Sequence, residues 1–333
     1  MKKLLKFLKW TGIVLGTVIV LLLTFVLLTW DKKYDAPYPD ITASKDSAVI
    51  ARGKYLANGP AHCGICHTPM DKIMAVENNK EASDFSGGWE LSFPSFGTFR
   101  APNITPDMET GIGKRTDKEL ARSLRHMVGY DGRMLAPFMT FQELTDEDLT
   151  AVISYLRSLK PVKHEVKGME AGIFLKALLA FGMMKPEGPK NTPAKSIAID
   201  STVEYGKYMA WSVCNCRTCH TQMDVNTGKF VGKDFAGKGA FEPDAFSKGH
   251  SYLSPNLTPH KGTGVIANWD KAAFLQRFRA GRVHEGSPMP WGSFTKINDL
   301  ELTALYKYLR SLEPVDNKVE KTVFAPGEKM PEL

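Results

Sequence analysis

The sequence predicts a mainly α chain of two tandem, homologous domains behind a single N-terminal transmembrane helix. Three observations carry this reading: an uncharged apolar run near the N-terminus, a set of motifs that recurs 153 residues later, and matching helix-start and helix-stop signals in the two copies. The 333 residues are enough for two or three domains of about 100–150 residues each. With 43% hydrophobic and 24% charged residues, a mainly disordered chain is excluded.

The apolar run comes first. Residues 10–30, WTGIVLGTVIVLLLTFVLLTW, carry no charge and begin and end with tryptophan. As a helix rising about 1.5 Å per residue they would cross roughly 30 Å, the thickness of a bilayer's hydrocarbon core. Lys2, Lys3, Lys6 and Lys9 precede the run, and Lys32 and Lys33 follow it beside Asp31. This lysine bias predicts residues 1–9 in the cytoplasm, residues 10–30 as the anchor in the cytoplasmic membrane, and the rest on the periplasmic or outer side. A cleaved signal peptide would have a shorter apolar region and a small-x-small site, which Thr29-Trp30-Asp31 does not provide. The same lysines explain the charge. Of the net +7, residues 1–33 supply +5, leaving +2 for the other 300 residues. That is too little for a nucleic-acid-binding face.

The repeat sets the domain boundaries. Arg52-Gly-Lys-Tyr-Leu returns as Tyr205-Gly-Lys-Tyr-Met, Cys63-Gly-Ile-Cys-His-Thr as Cys216-Arg-Thr-Cys-His-Thr, and Pro102-Asn-Ile-Thr-Pro as Pro255-Asn-Leu-Thr-Pro. Tyr155-Leu-Arg-Ser-Leu returns as Tyr308-Leu-Arg-Ser-Leu, and a Pro-Val pair follows closely in both. A constant offset over more than 100 residues marks a duplication, with domains at 45–162 and 198–316, a linker at 163–197 and a polar tail at 317–333. Helices are expected at 47–58 and 202–212, ahead of the cysteines. Others are expected at 145–159 and 298–312, where a capping residue precedes acidic residues and an apolar stripe. Within the linker, residues 171–184 form an apolar stretch too short to span a membrane. It reads first as a helix packed between the domains and second as a surface helix resting on the bilayer.

The cysteines carry the chemistry. Cys63-x-x-Cys66-His67 and Cys216-x-x-Cys219-His220 have the spacing that attaches a c-type haem. Two cysteines one helical turn apart can each form a thioether to a vinyl group, and the adjacent histidine can reach the iron. A four-thiolate zinc site would need one pair from each copy and would leave both histidines without a role. No βαβ pattern supports a thioredoxin-like pair. For the sixth iron position the candidates are His126, Met127, Met134 and Met139 in the first copy, and His284 and Met289 in the second. Aligning residues 136–139 with 286–289 pairs Met139 with Met289, at 72 and 69 residues after His67 and His220. Met134 and His126 have no counterpart. Methionine is ordinarily a flexible core filler; the duplication is what singles out this pair. Met70 and Met223 also correspond, but three residues beyond each histidine they are expected to pack. Cys214 takes the place of Ala61 and is expected as a buried thiol. Asn103, Thr105, Asn256 and Thr258 are expected to fix turns.

The two haem motifs, the Asn-Ile-Thr-Pro box followed by Thr-Gly, the Pro-Met segment and the closing Tyr-Leu-Arg-Ser-Leu helix together resemble class I cytochrome c domains. The pairing is similar to the cytochrome c subunits of membrane-bound alcohol and sugar dehydrogenases and to related diheme cytochromes. The resemblance implies a few helices around each of two covalently bound haem c groups, attached outside the cytoplasmic membrane, and electron transfer between respiratory partners. It departs in having two motifs rather than the three typical of those subunits, and in Met139-Thr140 where Met-Pro is usual.

Histidine–methionine ligation saturates the iron and raises its potential, which suits a carrier rather than an enzyme. The expected function is therefore a membrane-tethered diheme cytochrome c passing electrons from a quinol-oxidising complex or dehydrogenase to a cytochrome or oxidase, with no small-molecule substrate. The alternative is a diheme enzyme such as a peroxidase or a thiosulfate-type dehydrogenase. Only Met134 and Cys214 lean that way.

Overall fold

The structure, a computed structural model, describes residues 1–224, 229–243, 247–284 and 286–331. Helix α1 (Lys2–Thr29) has a mean hydropathy of 2.7 over its most apolar window and leaves nearly all its side chains exposed. Its length and composition are those of a membrane-crossing helix. The lysine-bearing first turns are helical as well, so α1 begins well before the expected anchor.

The first half folds as α2 (Ser47–Asn58), α3 (Cys63–Cys66), α4 (Ile73–Glu77), α5 (Asp117–His126) and α6 (Asp146–Ser158). The second half has α8 (Val203–Tyr208), α9 (Cys216–Cys219), α10 (Lys271–Arg279), α11 (Trp291–Phe294) and α12 (Asp299–Ser311), with α7 (Ile173–Ala180) in the linker. The expected caps are present. Thr145 Oγ1 accepts from Asp148 N at 3.1 Å to open α6, and Asn298 Oδ1 accepts from Glu301 N at 2.9 Å to open α12. One difference lies ahead of the second cysteine pair, where α8 continues as a π-helical turn, Met209–Val213. In the first half Gly59-Pro60 stops α2 at that place. Both segments close with the same bond, Ala61 N to Leu56 O and Cys214 N to Met209 O.

A glycine lets the first and last helices of each half cross closely. A Cβ on Gly53 would lie 1.8 Å from Ala151 O, and one on Gly206 would lie 2.0 Å from Ala304 O. Gly53→Ala and Gly206→Ala are each expected to destabilise the chain by about 1–3 kcal/mol through overpacking. Denaturant titration checks this, and an unchanged midpoint in either variant would contradict the crossing.

The two halves face each other through reciprocal contacts. Tyr55 OH donates to Glu301, and its counterpart Tyr208 OH donates to Asp148 at 2.7 Å. Asn298 N donates to Tyr55 OH at 3.0 Å, and Thr145 N donates to Tyr208 OH at 3.2 Å. At the centre the symmetry breaks. Arg52 donates to Asp148 (2.8 Å), Glu301 (2.8 Å) and Tyr205 OH (3.2 Å), while Tyr205, which stands in Arg52's place, donates to Glu301 at 2.5 Å. Glu301 is 0% exposed. One apolar core runs across this seam, joining Leu56, Leu149 and Ile153 to Tyr205, Met209 and Leu305.

Three expectations are corrected. Short antiparallel pieces that the loop-rich stretches did not reveal include β1 (Glu90–Phe93), β2 (Gly97–Arg100) and β3 (Glu170–Ala171) in one sheet, and β4 (Met223–Asp224) with β5 (Lys229–Phe230). The linker helix is shorter than the apolar stretch and does not sit between the halves. Leu175 and Leu179 pack with Phe99 of β2, beside Trp30 at the end of α1. The tail is not merely polar: β8 (Val323–Phe324) pairs with β7 (Ser251–Leu253), which pairs with β6 (Ala240–Phe241), and Phe324 is buried. Tail residues 332–333 lie outside the described residues.

Candidate haem sites

Each cysteine pair lies on a single helical turn entered through a left-handed residue, His62 (φ 42°) before α3 and Asn215 (φ 53°) before α9. His67 N and His220 N close these turns on Cys63 O (3.0 Å) and Cys216 O (2.9 Å). The imidazoles are then fixed from outside the motif. His67 Nδ1 meets Pro102 O at 2.8 Å, and His220 Nδ1 meets Pro255 O at 3.1 Å. A carbonyl only accepts, so Nδ1 carries the proton and Nε2 keeps its lone pair for a metal. Both histidines are buried, at 5% and 7% exposure, and burial holds their pKa below the usual imidazole value, which keeps them neutral.

The thiols suit thioether formation. None of the five cysteines is in a disulfide. Burial pushes Cys63, Cys66 and Cys219 up to about 12, with help from Cys66, Glu77 and Cys216 respectively, so these groups are thiols at neutral pH. Among the described residues no group of three His, Cys, Asp or Glu side chains converges as a metal site. The donor set fits haem c: Cys63, Cys66 and His67 would hold one group, and Cys216, Cys219 and His220 a second. A haem c held in this way supplies one-electron chemistry at its iron.

Met139 and Met289 are both half-buried against the main core. The rival candidates are engaged elsewhere. Met134 belongs to the separate cluster under α7 with Phe99 and Leu175, and Met127 is buried at the left-handed end of α5. His126 lies beside Gly188 of the linker, and His284 is exposed. Met70 accepts a hydrogen bond from Glu90 N at its sulfur, as a packing residue can. Cys214 is buried, and burial together with Cys216 raises its pKa well above the usual thiol value.

The Asn-x-Thr-Pro boxes spend their polar groups on the turn. Asn103 Oδ1 accepts from Thr105 N (2.9 Å) and Thr105 Oγ1 (2.7 Å), and its Nδ2 donates to Val162 O at 2.8 Å. Asn256 repeats all three bonds with Thr258 and Val315. The paired Pro-Val after each closing helix thus provides the carbonyl that ties each histidine-holding loop to that helix.

Sequence reasoning missed the fastening of the Met289 segment. Arg282 donates to Ser287 O and, at 3.4 Å, to Met289 O, and pairs with the buried carboxylate of Glu77 at 2.6 Å. Gly292 N also donates to Glu77, at 3.2 Å. Glu77 lies in the first half, so this half secures the second half's methionine segment. The residue before each motif also crosses the seam. His62 stacks edge-on to Phe294 with ring centroids 5.7 Å apart, and the Asn215 amide, oriented by its neighbours, donates to Thr140 O at 2.7 Å.

Comparison with known proteins agrees with this chemistry. Residues 50–160 match the cytochrome c family. The cytochrome c subunit of a quinone alcohol dehydrogenase from Gluconacetobacter polyoxogenes is 30% identical over 292 residues, covering 82% of this chain and 58% of that protein. The cytochrome subunit of fructose dehydrogenase from Gluconobacter japonicus is 26% identical over 302 residues, covering 87% of this chain and 58% of that protein. A diheme c-type cytochrome from Cereibacter sphaeroides is 25% identical over 220 residues, covering 64% of this chain and 69% of that protein. The chain therefore spans 58% of the length of both dehydrogenase subunits. Its residues 50–160 are a cytochrome c domain, and the chain is homologous to the cytochrome c subunits of dehydrogenases and to a diheme cytochrome c.

Proposed function

We propose that the chain is a membrane-tethered diheme cytochrome c, built from two tandem class I domains at 45–162 and 198–316. It carries electrons from a dehydrogenase or quinol-oxidising complex to a cytochrome or oxidase. The N-terminus is cytoplasmic, α1 is the anchor and the haem-bearing halves are periplasmic. The observation that carries this reading is the duplicated Cys-x-x-Cys-His turn, with each histidine's Nδ1 committed to a proline carbonyl. His67 with Met139 and His220 with Met289 are the ligand pairs; a carrier needs both irons saturated. The contacts of His62 and Asn215 across the seam support a short relay between the two sites. An enzyme would need a spare ligand or an open position. Met134 packs beneath α7 and Cys214 is a buried, protonated thiol, so neither favours that alternative.

Methionine substitution tests the ligand assignment. Met139→Ala and Met289→Ala are each expected to open one iron to carbon monoxide. Each should also lower one midpoint potential by about 0.1–0.3 V, part of the roughly 0.8 V over which axial ligands tune haem. Met134→Ala is expected to change neither. Redox titration with parallel gas binding checks this; an open iron in Met134→Ala and none in Met139→Ala would overturn the assignment.

A further inference from the structure

The linker helix α7 presents two different faces. At 100° per residue, Leu175, Leu178 and Leu179 point to one side and are buried. Ile173, Phe174, Ala177 and Phe181 fall within an arc of about 100° on another. Every residue on this second face is apolar. Ile173 and Phe181 are each 53% exposed, and Met183, just past the helix, is 73% exposed. An apolar strip of this kind on a short helix needs a covering, and the structure says where it lies.

Contacts at three levels pin α7 to the end of α1. Phe25 and Phe181 stack with ring centroids 5.4 Å apart. Lys176 Nζ lies 5.0 Å from the Trp30 ring centroid, and Lys32 Nζ donates to Ala180 O at 2.7 Å, capping the last turn of α7. Phe25 lies inside the uncharged run, five residues before Trp30. At about 1.5 Å per residue, it sits roughly 7 Å deeper along α1 than the tryptophan. An interfacial helix buries its apolar face about 5–10 Å into the headgroup–acyl boundary. Phe181 is therefore held at that depth by the anchor itself.

We infer that α7 is a second membrane contact, a foot whose Ile173, Phe174, Phe181 and Met183 side chains enter the leaflet from which α1 emerges. Lys32 and Lys176 sit against α7 and Trp30, and with Lys33 and Lys185 close by in sequence they offer cationic charge to anionic headgroups. The inference rests on α1 being the anchor. Its consequence is orientation. Because α7 also packs on Phe99 of β2 and β3 joins that sheet, the first half is clamped to the bilayer in a fixed pose instead of swinging on a flexible tether.

The test uses the full haem-loaded chain with Cys214→Ser, reconstituted into vesicles of phosphatidylcholine and phosphatidylglycerol. A spin label is placed through Ile173→Cys, Met183→Cys, Leu21→Cys in α1, or Val203→Cys on the exposed second half, and haem content verifies that each variant folds. The readout is the ratio of oxygen to water-soluble nickel-chelate accessibility. Labels at 173 and 183 are expected to give ratios several-fold above that at 203 and below that at 21. Ratios at 173 and 183 equal to that at 203, with position 21 still shielded, would overturn the foot and leave the anchor standing. A water-like ratio at position 21 would overturn both.

Discussion

A chain carrying Cys63→Ser and Cys66→Ser is expected to keep half of its covalently bound haem, and so is the reciprocal chain carrying Cys216→Ser and Cys219→Ser. Each histidine is placed by its own half: His67 by the α3 turn and Pro102 O, His220 by the α9 turn and Pro255 O. Neither set borrows a cysteine or histidine from the other. Haem quantified per chain after denaturation, with intact mass, checks the result. Loss of all haem in either double variant, or retention of both groups, would contradict two independent attachment sites.

Arg52→Ala is expected to cost about 3–5 kcal/mol, the range for removing one partner of a buried ion pair. Among the described residues Arg52 is the only cation paired with Asp148 and Glu301, and the substitution leaves two buried carboxylates at the seam. Tyr55, Tyr205 and Tyr208 would still donate to them, but neutral donors do not replace a charge. Substituting all three charged residues by apolar ones of similar volume is expected to recover much of the loss, since burying such a group is itself expensive. Denaturant unfolding of the haem-loaded protein reads both variants. A shift under 1 kcal/mol in Arg52→Ala would mean that the seam opens to water.

Much of this architecture was legible in the sequence because the duplication supplied an internal control. The 153-residue offset located both cysteine-bearing turns, both closing helices and the Thr145 and Asn298 caps, whereas Met139 and Met289 pair only through a separate alignment at an offset of 150 residues. Local rules sufficed there, because caps, helical turns and histidine placement depend on residues close in sequence. What escaped notice depends on long-range packing. Arg52, Asp148 and Glu301 lie on three separate helices, α2, α6 and α12, and only the docking of the halves brings them together. Glu77 and Arg282 are 205 residues apart, and no local pattern joins them. The linker helix reads first as an interdomain helix because its apolarity suits such a core; its neighbours Trp30 and Phe99 instead place it beside the end of α1. Strands of two to four residues carry too little periodicity to stand out in Gly- and Pro-bearing loops.

The most direct test of the central claim is carbon monoxide binding to the dithionite-reduced full chain in detergent, with covalent haem quantified in the same sample. Two haems per chain and an unchanged spectrum under the gas are the expected result, because in the proposed carrier both irons keep their methionines. A single haem, or prompt gas binding at one of two, would contradict the diheme carrier; the latter would mark an open iron where an enzyme's substrate could bind.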